Sequence, residues 1–277
     1  MYDAASLSEP NLQRATGELA VSARVRDGVT ALDGLRQAGC LKARFPRRLR
    51  PDWMDVVMLN TSGGIAGGDR LDNRFGVGTG ARVTIAAQAA ERFYRALPGS
   101  APSTVRTRIE IGSGAAAEWL PQETILFDRC ALDRKLEIDL AADAWFLGLE
   151  SLVFGRAAMG ERVARGSVCD LIRVRHDGRL KLHDAVRLEG EIEAVLRGKA
   201  VANGARALAT LVHVAPEAES RLDAVRAVLP DEAGASAWEG MLIVRLLAVT
   251  GAALRASVVA VLDVLRGGRP LPRVWLC

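Results

Sequence analysis

Apolar and polar residues alternate through much of the first two-thirds of the chain. The clearest case is 132–140, where leucine and isoleucine alternate with aspartate, lysine and glutamate, and Arg134 is the charged exception on the apolar face. Shorter alternating runs occupy 19–26 and 105–111. A period of two is typical of a β-strand with one buried face. Further strands are predicted at 83–87, 124–127, 145–153 and 208–214.

Turn residues divide these strands. Asp27-Gly28 follows the first of them, and 168–188 predicts a hairpin that turns at Asp177-Gly178. Asp-Gly suits the two-residue turns of hairpins because both positions tolerate positive φ. The alanine-rich segment 85–97 fits a strand and a helix equally well, so both interpretations stay open here.

Helical spacing is confined mostly to the C-terminal third. Leu222, Val225 and Leu229 form an apolar stripe that stops at Pro230, and a second stripe covers 254–265. The second stripe is compatible with a core helix and with a partner surface. There is no fixed-period repeat and no low-complexity linker. The pattern therefore predicts one mainly β domain over residues 1–277, with a few helices near its C-terminal end.

Composition narrows the class of protein. The 277 residues are 49% hydrophobic and 25% charged, which is enough to form a core and argues against disorder. The net charge is +4, and aromatic residues make up 5% of the chain, too few for the stacking platforms of single-strand nucleic-acid binders. We expect no nucleic-acid partner. A basic cluster is expected to be a solvated loop or a patch facing an acidic protein; it comprises Lys42, Arg44, Arg47, Arg48 and Arg50.

The sequence predicts neither a secretory signal nor a membrane-spanning segment. Residues 1–11 have neither a basic start nor an apolar centre, so no secretory signal is predicted. The longest apolar stretch, 241–265, is interrupted by Arg245, Arg255 and Asp263, whereas a bilayer span needs roughly 20 apolar residues. The four cysteines are widely spaced and form no C-x-x-C pair, which favours reduced thiols. We expect a cytoplasmic protein without a membrane partner.

Nucleotide, nucleophile and permanent metal sites are not predicted. Residues 112–117 fit G-x-G-x-x-A, but Pro121 follows too soon for the helix that a dinucleotide site needs, which favours a turn. No G-K-[ST] or G-x-S-x-G segment exists. In the predicted hairpin, His176 and His183 share a face about 13 Å apart, too far for one ion. Transient passage of an ion past carboxylates stays open.

A glycine-rich loop carries most of the information. Two pairs, Gly63-Gly64 and Gly67-Gly68, are followed directly by Asp69. Such pairs indicate backbone conformations that a Cβ forbids, or backbone packed closely against a neighbour. The Asp69 carboxylate can accept backbone N–H groups within the loop. From these residues alone, a structural and a functional role for Asp69 are equally open.

This loop resembles the signature of the urease accessory protein UreD family, called UreH in some organisms, which reads T-x-G-G-[LIV]-x-G-G-D-x-L. The resemblance continues in the same order through nearly the whole chain, although 202–237 carries little of it. The further matching segments are 80–84, 88–95, 119–125 with Phe127, 154–161, and the closing Pro270 with 272–275.

The resemblance implies a mainly β fold, in which strands stack helically and helices lie near the C-terminal end. It also implies a non-catalytic scaffold that binds apo-urease together with UreF and UreG, and that helps deliver nickel to the urease active site. GTP hydrolysis belongs to UreG in this family. The implied handling of nickel is transient, and no permanently bound cofactor is expected.

By the same resemblance, carboxylates in or beside the matching segments are the candidates for a transient nickel path. Nickel accepts oxygen ligands as well as nitrogen. The candidates are Asp69, Glu123, Glu150 and Glu161, with Arg156 as a partner for one of them. The alternative is that these carboxylates only satisfy backbone donors and Arg156, because buried charges must be paired.

Two other classes of function remain open. One is an enzyme that acts on a small molecule in a pocket lined by the loop 61–69; the other is an independent nickel-storage or metal-sensing protein. Turnover by the purified chain would favour the first, and tight stoichiometric nickel binding without partners would favour the second. Neither explains the ordered matching segments.

Overall fold

The computed structural model describes residues 13–47, 50 and 52–276; residues 1–12, 48, 49, 51 and 277 lie outside them, so the predictions for residues 1–11 and for Arg48 fall outside the described residues. The described elements are seventeen strands and three α-helices, joined by turns and short 3-10 segments. The strands are β1 (Thr16–Arg26), β2 (Val29–Gly39), β3 (Leu41–Arg44), β4 (Met54–Asn60), β5 (Arg70–Val77), β6 (Arg82–Ala87), β7 (Glu91–Phe93), β8 (Ser103–Ile111), β9 (Ala116–Leu120), β10 (Thr124–Leu126), β11 (Ala131–Leu140), β12 (Trp145–Phe154), β13 (Gly166–His176), β14 (Arg179–Gly190), β15 (Ala207–Val214), β16 (Ala233–Trp238) and β17 (Met241–Ala248). The helices are α1 (Ile192–Leu196), α2 (Leu222–Arg226) and α3 (Gly251–Arg266).

The strands form two stacked sheets. Sheet 1 has the order β14-β13-β11-β8-β5-β1-β2, and sheet 2 has the order β16-β17-β15-β12-β9-β6-β4-β3, with β10 and β7 attached beside β12. From β4 to β13 the main strands alternate between the sheets, so each passage adds one parallel strand to sheet 2 and one to sheet 1. This winding is the mainly β, helically stacked arrangement that the resemblance implies.

Two apolar layers hold the structure together. The first lies between the sheets, where alternate residues such as Ile109, Leu132 and Phe146 are almost completely buried. The second lies on the other face of sheet 2, where Leu254 and Leu262 of α3 pack against that sheet. Because β-strand side chains alternate between faces, the central strands of sheet 2 contribute to both layers.

Helix α3 begins and ends where its sequence indicates. The Thr250 hydroxyl accepts the Ala253 N–H at 3.1 Å, and Gly267 ends the helix with φ +61°. The apolar stripe faces sheet 2, so the helix belongs to the core. The long apolar stretch is therefore a strand followed by a helix. Among the described residues, no helix is long and apolar enough to cross a bilayer.

Most of the predicted strands are confirmed, and the segment 85–97 contains strands instead of a helix. The hairpin of β13 and β14 turns at Asp177-Gly178 as predicted. A bulge shifts its register, however, so that His183 pairs with Arg173. Since 173 and 176 differ by an odd number, His176 and His183 lie on opposite faces, and the predicted shared face is wrong.

Candidate functional site

A cavity of about 250 Å³ lies between the two sheets. Its lining includes exposed loop residues, among them Gly63 and Gln88, and buried residues, among them Arg134 and Glu150. It therefore extends from the glycine-rich loop at the surface to charged groups in the interior. A polar interior is unusual for two packed sheets, whose facing side chains normally form an apolar core.

The glycine-rich loop forms part of the cavity wall through its backbone. Gly63 and Gly64 have φ of +79° and +146°, and a Cβ on Gly64 would lie 2.3 Å from the ring of Tyr94. The Tyr94 hydroxyl donates a hydrogen bond of 2.8 Å to the Gly63 carbonyl. A Cβ on Gly67 would lie 2.9 Å from that of Ala96. The glycines thus allow close packing of the loop, as the doubled pairs predict.

Asp69 anchors this loop. Its Oδ1 accepts the Ala15 N–H and its Oδ2 accepts the Ala66 N–H, each at 2.8 Å, and the residue is buried. Gly68, with φ +87°, turns the chain immediately before it. Both carboxylate oxygens are therefore occupied by backbone donors, and Asp69 is not part of the cavity lining.

Arg134 and Glu150, which line the inner part of the cavity, form a buried charged triad with Asp170. Arg134 on β11 and Asp170 on β13 are register partners in sheet 1, with Nε–Oδ1 and Nη2–Oδ2 distances of 2.8 and 2.6 Å. Glu150 faces them from β12 in sheet 2, and its Oε2 lies 2.7 Å from Arg134 Nη1. Its Oε1 accepts the indole N–H of Trp119 at 2.9 Å, and Thr124 accepts from Arg134 at 2.8 Å.

The triad has two carboxylates and one guanidinium. The pKa of Glu150 is raised to about 7, chiefly by burial and also by the nearby charge of Asp170, which together outweigh the lowering by Arg134 and by the Trp119 hydrogen bond. The bidentate contact of Arg134 is made with Asp170, which leaves Glu150 only partly compensated. Glu150 is therefore the group in the triad that can change its charge near neutral pH.

Two buried oxygens in the cavity have unused acceptor capacity. Glu150 Oε2 contacts Arg134 without hydrogen-bond geometry, and Asn73 Oδ1 also has no donor among the described residues. The Asn73 amide group donates to Thr107 at 3.3 Å. Since buried acceptors are normally satisfied, water or a hydrated cation is the natural complement of this lining.

The other carboxylates singled out in the sequence lie elsewhere. Glu123 pairs with Arg255 at 2.9 Å, and Glu161 pairs with Arg156 at 2.6 Å. Of the four candidates, Glu150 alone lines the cavity. In the described part of the chain, no group of three or more His, Cys, Asp or Glu side chains is arranged to hold a metal ion. The four candidates therefore do not form one site.

Sequence reasoning missed Glu91, which also lines the cavity. Its Oε2 accepts a hydrogen bond of 3.1 Å from Asn60, and burial raises its pKa. Glu91 lies in a matching segment, but nothing in the pattern separates it from its neighbours. Arg134 was detectable, because it interrupts the apolar face of an otherwise regular strand.

A second buried charge network, also missed, connects β9 to the C-terminal segment. Glu118 is completely buried; it accepts from Arg266 Nε at 2.9 Å, from Arg269 at 2.6 Å and from the Thr84 hydroxyl at 2.7 Å. The network lies on the helix side of sheet 2, whereas the next residue, Trp119, faces the cavity. Glu118 therefore belongs to the scaffold around the cavity.

The chain matches the family model described as UreD urease accessory protein over residues 15–276. The chain belongs to the UreD urease accessory protein family. Curated UreD relatives extend over nearly the same length. The Rhizobium leguminosarum bv. viciae protein is 43% identical over 264 residues, covering 95% of this chain and 96% of the relative. The Dinoroseobacter shibae protein is 46% identical over 269 residues, covering 96% and 94%.

A third UreD, from Xanthobacter autotrophicus, is 46% identical over 266 residues and covers 95% of this chain and 90% of its own. All three relatives carry the name urease accessory protein UreD. The membership predicted from the ordered segments is confirmed. The cavity is accordingly a feature of a UreD chain.

Proposed function

We propose that this chain is a non-catalytic scaffold of urease maturation in the cytoplasm, which binds apo-urease together with UreF and UreG. Nickel is its cargo and passes transiently through the cavity between the sheets. Family membership supports the accessory role. The observation that supports the path is Glu150, a buried carboxylate with an oxygen that accepts no hydrogen bond and that borders the cavity.

The chemistry of the cavity suits passage better than storage. Glu150 and Asn73 supply oxygen acceptors, and the sulfur and imidazole clusters of tight sites are absent from the described residues. Arg134 already compensates part of the Glu150 charge, which weakens attraction for a dication. A weak oxygen site can release nickel as readily as it accepts it.

The proposal narrows the four sequence candidates to Glu150. The carboxylate of Asp69 accepts two backbone N–H groups. Glu123 forms an ion pair with Arg255, and Glu161 forms one with Arg156. We assign these three to the scaffold, where they hold the loop and the surface segments in position.

The decisive experiment compares Glu150→Gln with Glu161→Gln. Tagged chain, apo-urease, UreF and UreG are co-expressed, the complex is isolated, and the nickel content and activity of urease are measured. We expect Glu150→Gln to preserve the complex and to lower nickel loading about tenfold. Glu161→Gln removes a half-buried carboxylate that does not line the cavity, and it is expected to leave loading unchanged.

Equal loading with both variants would remove Glu150 from the path. Failure of the wild-type chain to form any complex, together with unchanged urease activity when the chain is deleted, would instead overturn the scaffold role. The first outcome concerns the residue and the second concerns the function, so the two are distinguishable.

A second candidate function for the same cavity is that of an enzyme acting on a small molecule. The loop backbone at Gly63 and Gly64 does line the cavity, which is the observation that favours it. Turnover of a substrate by the purified chain, without partners and abolished in Glu150→Gln, would support this second candidate and contradict the proposal above.

A further inference from the structure

An apolar groove of about 290 Å³ lies beside the edge strand β3. Val57 and Leu59 of β4 and Ala86 of β6 line it, together with Phe45 from the segment after β3 and Val274 near the C-terminus. The odd-numbered residues of β4 point away from sheet 1, to the outer face of sheet 2. Helix α3 packs on the same outer face, over β15 and β17. The groove is therefore the part of that face near β3 that α3 does not contact.

The groove has a positively charged rim. Arg44 and Arg47 line it and are exposed, and among the described residues neither forms an ion pair with a carboxylate. Arg44 donates only to the carbonyl of Ala43, at 2.9 Å. Among the described residues that line the groove, the carboxylate is Asp55, whose pKa is raised by burial and by the charge of Glu118. The rim consequently favours an acidic occupant.

The groove adjoins the cavity. Leu59 and Gln88 line both of them. An occupant of the groove therefore contacts two residues that also line the cavity, of which Gln88 is exposed. This continuity connects the groove to the proposed function.

We infer that this groove is the docking site for an acidic segment of a partner protein, anchored by an apolar side chain. The apolar residue packs on Val57, Leu59 and Phe45, and its acidic neighbours pair with Arg44 and Arg47. The docked segment covers the outer part of the cavity, so that the cavity exchanges with the partner and not with bulk water. The inference rests on the proposed function for the choice of partner and for the exchange through the cavity.

The test uses the full chain and short, overlapping, fluorescein-labelled peptides that tile the partner proteins of the proposed complex. Binding is followed by fluorescence polarisation for the wild-type chain, for Arg44→Glu/Arg47→Glu and for Leu59→Ser. The matched control is Arg179→Glu/Arg187→Glu, which reverses two exposed arginines on β14, away from the groove. Circular dichroism checks that each variant is folded.

We expect at least one acidic peptide with an apolar residue to bind. Its affinity falls about tenfold in Arg44→Glu/Arg47→Glu and in Leu59→Ser, stays unchanged in the control, and weakens as salt is added. If no acidic peptide binds, or if the peptide affinity is unchanged in both groove variants, the groove is not the docking site. In parallel, each variant is co-purified with the whole complex. An intact complex together with failed peptide binding would contradict the groove inference and leave the scaffold function in place.

Discussion

Arg134 and Glu150 connect the two sheets through an ion pair of 2.7 Å between Nη1 and Oε2. Arg134 lies on β11 of sheet 1, where it also pairs with Asp170, and Glu150 lies on β12 of sheet 2. The three side chains are almost completely buried. The interior of the sandwich thus contains an ion-paired cluster of two carboxylates and one guanidinium in place of a purely apolar contact.

Removing the cation of this triad should destabilise the protein strongly. Arg134→Met keeps an unbranched side chain but leaves two buried carboxylates without their partner. We expect the free energy of unfolding to fall by about 3–5 kcal/mol, the usual cost of breaking a buried pair from one side. Urea denaturation followed by tryptophan fluorescence measures it.

Arg36→Met is the control for Arg134→Met, because Arg36 pairs with Glu18 on the surface at 3.0 Å. An exposed pair contributes less than about 1 kcal/mol. Equal losses in the two variants would show that the triad does not stabilise the sandwich.

Glu150 should make stability depend on pH. Its pKa is raised by burial from 4.5 to about 7 in the folded protein. Between these values the folded state binds more protons than the unfolded state, so this contribution to stability is complete below pH 4.5 and is lost as pH rises through 7.

Glu150→Gln cannot titrate and should lack this loss. The urea midpoints of wild type and variant are compared at several pH values from 5 to about 8. We expect the wild type to lose stability relative to Glu150→Gln as pH rises. Contributions from Glu91, Asp55 and His213 are common to both proteins and cancel in the difference. Parallel pH profiles would contradict the raised pKa.

Gly64→Ala should cost more than Gly63→Ala. Both positions have positive φ, but a Cβ on Gly63 meets open space, whereas one on Gly64 meets the Tyr94 ring. We expect an additional loss of about 1–3 kcal/mol for Gly64→Ala, as for overpacking elsewhere. In a Tyr94→Ala background the part of this loss that comes from the contact with the ring should disappear in a double-mutant cycle, whereas the backbone strain of a side chain at φ +146° remains. Additive losses would show that Tyr94 is not the obstacle.

Asp69→Asn should loosen the glycine-rich loop. The carboxylate accepts two backbone N–H groups, and an amide retains only one oxygen acceptor, so one buried N–H loses its partner. We expect a loss of about 1–3 kcal/mol in unfolding free energy. The control is Asp72→Asn, three residues farther along, because Asp72 pairs with Arg74 at the surface; it should stay within about 0.5 kcal/mol of wild type.

A nickel-specific role for Asp69 would give a different result. Urease loading would then fall in Asp69→Asn even where the complex and the stability of the chain are preserved. Measuring stability and loading on the same preparations separates the two roles that the sequence leaves equally open.

The sequence predicted β1, β6, β8 and β10 to β15, most of them from alternation, which directly reports which residues meet the core. It did not predict β2, β4, β5, β16 or β17, although β5 also has one polar face. It also did not predict β3 or β7, which are too short to show a period, or β9, whose five residues are all buried. The hairpin turn at Asp177-Gly178 was predicted from local chemistry. The bulge beside it was not, because a bulge depends on pairing with the neighbouring strand.

The sequence by itself determined the mainly β class and the UreD family. It also determined that the glycine-rich loop packs closely against a neighbour. Alternation, turn residues and ordered motifs are local properties of the chain. Only the tertiary structure decided which carboxylate borders the cavity. Asp69, Glu123, Glu150 and Glu161 look alike in sequence, but their partners come from distant segments. Glu150 acquires its raised pKa, chiefly through burial, and its unused acceptor oxygen only when β12 packs against sheet 1 beside Arg134 and Asp170.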